Sequence, residues 1–188
     1  MSDSLSSCAC VPRPLHPAQR RLWRIEQIAG ARSKPNDVLC LDLEGEPASA
    51  ALVALLAGIL DDNPDYHSTL ALHEGQPCWH AGARARLPVL EAAIGPGALA
   101  EPWHDELSAC MDGLYQSERA YAFDLATEFP LRVTIARQAA SATTCLVLTF
   151  HPLVMTRAQL ELVFERLKAA LTGAAPGPAA VPRAEADA

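Results

Sequence analysis

The sequence has few aromatic residues, fewer basic than acidic ones, and no long apolar run. Only 5% of its 188 residues are aromatic while 50% are hydrophobic, a composition typical of a globular domain. Fifteen basic residues against 22 acidic ones give a formal net charge of −7. Because a negative chain repels phosphates, nucleic acid is disfavoured as a partner. The longest apolar run, Ala48–Leu60, is too short and too rich in alanine to cross a membrane.

Motifs of several enzyme and secretion classes are also missing. The N-terminus lacks the basic and then apolar order of a signal peptide, which predicts a cytoplasmic protein. No G-x-S-x-G or G-x-x-x-x-G-K-[ST] segment is present, which disfavours serine-hydrolase and nucleotide-hydrolysis chemistry. The cysteines form no C-x-x-C pair, so we expect free and mostly buried thiols at Cys8, Cys10, Cys40, Cys78, Cys110 and Cys145.

Composition divides the chain into three regions. Residues 1–12 are predicted to be a flexible leader, 13–172 a single domain, and the Ala/Pro-rich 173–188 a disordered tail. The hydrophobic pattern of the domain predicts an α/β or α+β fold, an α+β sandwich in which helices pack on a mixed sheet. Four helices are predicted, namely from Pro17 to about Ala29, from Pro47 to about Asp61, over about 99–117, and one opened by a Thr156/Gln159 capping box. The predicted strands are Val38–Leu43, a hairpin over 68–81 that turns at Glu74-Gly75, and segments 131–135 and 145–150.

One histidine stands where a buried strand is predicted to end. Cys145–Phe150 is almost wholly apolar, as in a central strand covered on both faces, and His151 follows it directly. A strand holds such a side chain in place while the next loop admits a substrate, so catalytic residues occur at such positions. The alternative is a structural role, which is the commoner one for a single histidine.

Four segments, taken in order, resemble the N-terminal half of a nonribosomal peptide synthetase condensation domain, which has the chloramphenicol-acetyltransferase-like fold. In that family they read P-L-S-x-A-Q-x-x-L-W, then H-P-x-L-R-T, then P-F-D-L…G-P-L-L-R, and then the start of H-H-x-x-x-D-G. The resemblance covers about residues 13–171 and implies one lobe of that fold. The matching segments are Pro14-Leu-His-Pro-Ala-Gln-Arg-Arg-Leu-Trp23, Asn63-Pro-Asp-Tyr-His-Ser68, Phe123-Asp-Leu125 with Phe129-Pro-Leu-Arg132, and Thr149-Phe-His-Pro-Leu-Val154.

The signature positions differ from the family pattern. The second histidine, which in the family acts on the attacking amine or the tetrahedral intermediate, is Pro152 here, and proline has no acid–base side chain. The signature Asp and Gly fall on Thr156 and Arg157, and the Arg that pairs with that Asp falls on His67. Both ends of one ion pair are therefore replaced together, which avoids leaving a single buried charge. His151 matches the first histidine, which is mainly structural in the family.

The resemblance therefore implies a truncated, stand-alone and catalytically degenerate condensation-like protein. Condensation domains have two lobes with the active site between them, and this chain is expected to end after the first. We expect it to bind or recruit a component of a nonribosomal peptide (or hybrid polyketide) assembly line, namely a synthetase module, a carrier protein or a tailoring enzyme. A homodimer is the other way to cover the exposed lobe face.

Two other interpretations stay open. In the first, dimerisation or a partner lobe completes an acyltransferase or condensation site in which His151 is the base. In the second, the chain is a structural remnant with neither partner nor substrate. The substitution His151→Ala separates the first from the rest, because it abolishes activity only if the imidazole takes part.

Two further groups of residues are candidate sites. A basic group near the N-terminus either contacts an acidic partner or is a solvated helix face, and it consists of Arg20, Arg21 and Arg24. No cofactor is expected. A metal is not expected either, because no fourth ligand at the usual spacing accompanies His73, Cys78 and His80.

Overall fold

The computed structural model describes residues 11–29, 34–61, 63–81, 87–94, 103–138 and 142–172, with the backbone alone for 29, 64, 94, 103–111, 138 and 157. The predicted tail, and all but the end of the predicted leader, lie outside these ranges. Within them the chain forms β1 (Arg13–Pro14), α1 (Pro17–Ala29), β2 (Asp37–Glu44), α2 (Ser49–Leu60), a 3-10 helix (Pro64–His67), β3 (Ser68–His73), β4 (Gln76–Ala81), β5 (Val89–Ile94), α3 (Trp103–Ala120), β6 (Leu131–Gln138), β7 (Thr143–Phe150) and α4 (Arg157–Thr172).

The larger sheet has four strands in the order β2-β7-β6-β5. Strands β2, β7 and β6 are antiparallel neighbours, whereas β5 lies parallel to β6, so the sheet is mixed as predicted. Strand β7 is central, and its residues 144–150 are all buried. A strand with two covered faces needs apolar residues on both faces rather than at alternate positions, which explains the almost wholly apolar segment from Cys145 to Phe150.

The smaller sheet contains the predicted hairpin. Strands β3 and β4 pair in antiparallel register, and β1 adds to the other side of β4. The turn residues Glu74 and Gly75 both have positive φ angles, 50° and 76°. Two successive left-handed residues twist the chain in the sense that the flanking strands require, so this turn sets the register Ser68↔Ala81 to His73↔Gln76.

Helices cover both faces of the larger sheet, which confirms the predicted α+β class. On one face, Leu146 and Leu148 of β7 pack with Leu56 of α2 and Val163 of α4, and all four side chains are fully buried. On the other face, Cys145 and Val147 of β7 form a smaller apolar cluster that Leu114 of α3 borders. Burying each such leucine contributes roughly 1.5–3 kcal/mol, so β7 is the centre of the core.

Several elements differ from the sequence-based expectation: β1 and the 3-10 helix are additional to the predicted elements, and α2 begins at Ser49 rather than at Pro47. Strand β5 was not predicted, because its sequence Val-Leu-Glu-Ala-Ala-Ile has little β propensity and gains its strand geometry from parallel pairing with β6. Helix α3 continues beyond Ser117, where it was expected to end. The extension carries Glu118 into the interior, where the carboxylate accepts hydrogen bonds from Thr134 and Thr149, both at 2.9 Å.

The described cysteines are free, but one differs from the expected burial. Cys78 and Cys145 are buried, whereas Cys40 is exposed because it lies on β2, the edge strand of the larger sheet. The side chains of Cys8, Cys10 and Cys110 lie outside the described part of the chain. Among the described helices, none has the length and apolar character needed to cross a membrane.

Candidate functional site

His151 lies immediately after β7, in a turn whose backbone is fixed on both sides. Its N–H donates to the carbonyl oxygen of Pro130 at 2.9 Å, and its own carbonyl accepts from the N–H of Val154 at 3.0 Å. The histidine is therefore held at the end of the central strand, as the sequence predicted. Its side chain is 12% exposed, which leaves the imidazole close to the surface but largely desolvated.

The two ring nitrogens of His151 have different neighbours. The backbone N–H of Leu153 donates to Nδ1 at 3.2 Å, so Nδ1 is an acceptor and the proton of the neutral ring sits on Nε2. Nε2 faces Oε1 of Glu26 on α1 at 3.7 Å. Phe123 packs edge-to-face on the ring, with centroids 5.8 Å apart. The ring is thus oriented by a backbone donor on one side and an aromatic ring beside it.

Burial changes the pKa of both partners in the His151–Glu26 contact. Desolvation lowers the pKa of His151 to about 4, because the charged imidazolium loses water. Desolvation raises the pKa of Glu26 to about 6, although the positive charge of Lys34 opposes that rise. Near neutral pH the imidazole is therefore neutral and the carboxylate ionised. The contact is then a neutral ring beside an anion and not a salt bridge.

His151 lines two cavities. The larger, of about 450 Å³, is lined on the α1 side by Trp23, Glu26 and Gln27, with Leu72 and Phe123 among its other walls. The smaller, of about 160 Å³, lies toward Lys34, Asn36 and Arg119. Phe123 and His151 line both cavities.

The other signature positions have local structural partners. Pro152 is buried in the turn after His151. Thr156 and Gln159 form the predicted capping box, in which the Thr156 N–H donates to Gln159 Oε1 at 2.7 Å and the Gln159 N–H donates to Thr156 Oγ1 at 3.3 Å. His67, at the end of the 3-10 helix, packs edge-to-face on Phe129 with centroids 6.2 Å apart. Thr156 is the N-cap of α4, and Arg157 is the first residue of that helix.

The basic group on α1 does not line either cavity beside His151. Arg20 is half-buried, whereas Arg21 and Arg24 are exposed. Ile25 and Ile28 on the same helix are 44% and 88% exposed. These residues form a basic and apolar surface, which we call the α1 surface.

Two buried polar networks near the site were not predicted. In the first, Gln19 donates to the carbonyl oxygen of Leu153 at 2.8 Å and to Asp65 at 3.3 Å, and Asp65 also pairs with Arg13 at 2.5 Å. This network joins the N-terminal segment to the turn after His151. Gln19 belongs to the first resembling segment, so that motif was the signal that could have identified it.

The second network surrounds Glu118, which is 3% exposed. Besides the two threonine hydroxyls, Nε of Arg132 lies 3.2 Å from the carboxylate, and the Arg132 guanidinium stacks over the ring of Tyr121. No local sequence pattern marked Glu118 as buried, because its partners come from β6 and β7.

The metal candidates do not form a ligand set. The rings of His73 and His80 are 6.4 Å apart, centroid to centroid, and Cys78 is buried in the hairpin. In the part of the chain that the structure describes, no three His, Cys, Asp or Glu residues are grouped so as to hold a metal ion.

Comparison with known proteins identifies the architecture. The first condensation domain of the calcium-dependent antibiotic synthetase, solved with a substrate analogue, superposes with a TM-score of 0.65 at 20% identity over 90% of this chain. The condensation domain for chain release from the enacyloxin polyketide synthase gives a TM-score of 0.68 at 19% identity over 96% of this chain. The starter condensation domain of rhizomide synthetase RzmA gives 0.67 at 17% identity over 89%.

The chain has the fold of one lobe of a condensation domain. It covers 35% to 40% of those solved chains, which fits a single lobe of the chloramphenicol-acetyltransferase-like fold. In sequence, this condensation-type lobe is 30% identical over 122 residues to the probable nonribosomal peptide synthetase CymA of Salinispora arenicola (strain CNS-205). That match spans 65% of this chain and 1% of the relative. No family profile matches the sequence.

Proposed function

We propose that this condensation-type lobe is catalytically degenerate and binds a component of a nonribosomal peptide or hybrid polyketide assembly line. The fold and the similarity to a peptide synthetase support a role in such a pathway. The main support for the absence of catalysis in this proposal is the state of His151. Its Nδ1 already accepts a backbone hydrogen bond, and its Nε2 carries the proton of the neutral ring.

The chemistry of the remaining signature positions supports the same conclusion. An imidazole whose pKa is about 4 is a weak general base near neutral pH, since catalytic bases work best when their pKa is near the working pH. Pro152 offers no proton or lone pair from its side chain. Thr156 is engaged as the cap of α4, where its Oγ1 also donates to Gln159 at 2.9 Å. Within the described residues, no other signature side chain replaces the missing base.

The α1 surface is the proposed contact for the partner. Exposed arginines next to an exposed isoleucine combine charge attraction with apolar contact, and arginine is enriched in protein interfaces. An acidic carrier protein has the complementary charge. The other candidate partners for this binding role are a synthetase module, a tailoring enzyme and a second copy of the chain.

The test measures catalysis and binding separately. Purified protein is mixed with a carrier-bound acyl donor and an amine acceptor, and product is followed by mass spectrometry. We expect no amide or ester above the level without protein, and formation of either would overturn the non-catalytic assignment. Binding to the purified carrier protein is measured by calorimetry with the double variant Arg21→Glu/Arg24→Glu, and Lys168→Glu on the exposed face of α4 is the matched control.

Charge reversal at two exposed interface positions should weaken carrier binding about tenfold or more, whereas Lys168→Glu should leave it unchanged. Equal binding by all three proteins would remove the α1 surface from the interface. The enzyme alternative is favoured by one observation, namely the two cavities that His151 lines. It predicts that acyl transfer appears only with a second lobe present, and that His151→Ala abolishes it with folding intact.

A further inference from the structure

The carboxylate of Glu26 lies in the wall of the larger cavity without a charge partner. Its side chain is only 11% exposed. Within the described part of the chain it makes no hydrogen bond, and Nε2 of His151 lies 3.7 Å from its Oε1, beyond hydrogen-bond distance. A largely desolvated carboxylate is normally paired, because an unpaired one loses hydration without replacement.

The residues around Glu26 do not neutralise it near neutral pH. His151 is the other titratable residue that lines the cavity, and it is uncharged there because its pKa is lowered by burial. Lys34 belongs to the wall of the smaller cavity and acts on Glu26 only through its field. Among the described residues that line it, the larger cavity therefore holds one negative charge and no positive one.

Apart from Gln27, the other described side chains that line the larger cavity are aromatic or aliphatic. Trp23 and Phe123 contribute rings, while Leu70, Leu72 and Pro77 contribute apolar surface. A volume of about 450 Å³ is in the range that binds small molecules. Aromatic faces attract cations through their quadrupole, and apolar surface packs against alkyl groups.

We propose that the larger cavity binds an alkylated ammonium cation, with Glu26 as its counter-ion and with Trp23 and Phe123 as its aromatic walls. A primary ammonium needs about three acceptors for its N–H groups, and among the described side chains of the cavity wall the acceptor oxygens belong to the Glu26 carboxylate and the Gln27 amide. An alkylated ammonium keeps the charge but needs few or no such acceptors. This inference rests on the cavity residues and does not depend on a role in peptide assembly.

The test compares three probes of matched size or charge against the full-length protein. Choline carries a trimethylammonium group, 3,3-dimethylbutan-1-ol is its uncharged carbon isostere, and ethanolamine carries a primary ammonium. Binding is measured near neutral pH by calorimetry and by chemical-shift changes of the Trp23 indole N–H. We expect choline to bind about tenfold or more tightly than either other probe.

Variants then assign the interaction to the named residues. Glu26→Gln keeps the side-chain volume but removes the charge, and it should weaken choline binding about tenfold or more without changing binding of the isostere. Glu165→Gln on the exposed face of α4 is the control, and we expect wild-type affinity from it. Trp23→Leu keeps apolar bulk but removes the ring, so a loss of about threefold to tenfold is expected for choline.

Any of these results would overturn the proposal: no choline binding, equal binding of choline and its isostere, or wild-type choline affinity in Glu26→Gln. The probe comparison uses the wild-type protein, so it decides the question even if a variant does not fold. Tighter binding of ethanolamine than of choline would also overturn it, since a primary ammonium site would then be present. Because these probes are not carrier-bound, their outcome is separate from the carrier-binding test.

Discussion

The replacement of Glu26 by glutamine should stabilise the folded protein near neutral pH. The wild-type carboxylate is desolvated and unpaired, and this environment raises its pKa from 4.5 to about 6. A raised pKa means that the folded state holds the proton more tightly than the unfolded state. Folding is therefore penalised at every pH at which the carboxylate is ionised, and the amide of glutamine carries no such penalty.

The size of the effect follows from the pKa change. One pKa unit corresponds to 1.36 kcal/mol, so the change from 4.5 to about 6 gives an upper limit of about 2 kcal/mol. Because the carboxylate borders a cavity that water can enter, we expect about 1–2 kcal/mol. The ionisation penalty applies over a definite pH range. The penalty on wild-type is complete above the folded pKa of about 6, decreases as the pH falls, and is absent below 4.5.

The assay is urea denaturation of wild-type and Glu26→Gln at a pH well above 6 and again near 4.5. Because His151 lies 3.7 Å from Glu26, its titration is followed by NMR in both proteins and its contribution is subtracted from their difference. We expect the variant to be more stable by about 1–2 kcal/mol at the higher pH and equal at the lower one. The exposed control Glu165→Gln should change stability by less than about 0.5 kcal/mol at either pH.

The reasoning is refuted if Glu26→Gln is equally or less stable than wild-type at the higher pH. A difference that does not vary with pH would also refute it, since the penalty is assigned to ionisation alone. Direct titration of the Glu26 carboxyl carbon by NMR provides an independent check, because a pKa at or below 4.5 would remove the premise.

Three further predictions concern the turn after β7 and the interior. His151 should titrate at about 4 by NMR, and because this folded pKa lies below the ordinary value of 6.5, the free energy of unfolding should be about 3 kcal/mol higher above pH 6.5 than at pH 4 from this group. Thr156→Ala should cost about 1 kcal/mol in urea denaturation through loss of the α4 cap, whereas Thr156→Ser should cost little, and an equal cost for both would argue against capping. Glu118→Ala should cost about 3–5 kcal/mol because Arg132 loses its buried partner, and a thermal shift no larger than that of an exposed-site variant would contradict the network.

Local sequence signals identified the elements whose geometry depends on near neighbours. The Glu74-Gly75 turn fixed the hairpin because two adjacent residues with positive φ determine how the strands twist. The Thr156/Gln159 pair placed the start of α4 because capping bonds span three residues. The continuous apolar run of β7 indicated a strand buried on both faces, and its place in the middle of the sheet agrees.

Elements that depend on distant partners were not predictable from local patterns. Strand β5 has little β propensity of its own and exists through parallel pairing with β6. The extension of α3 to Ala120 follows from the burial of Glu118, whose partners Thr134 and Thr149 lie on other elements. Helix periodicity describes which face of a helix is apolar, but it does not say which polar residue finds a buried partner.

The sequence by itself determined the α+β class, the central strand, and His151 as the residue at the end of that strand. Those properties depend on hydrophobic periodicity, turn chemistry and capping, which act between residues close in the chain. Only the tertiary structure decided the chemistry around His151. Glu26 and Phe123 meet the ring from α1 and from the segment before β6, and their burial sets the charge of both ionisable groups. Desolvation arises from packing between distant segments, so no local pattern encodes it.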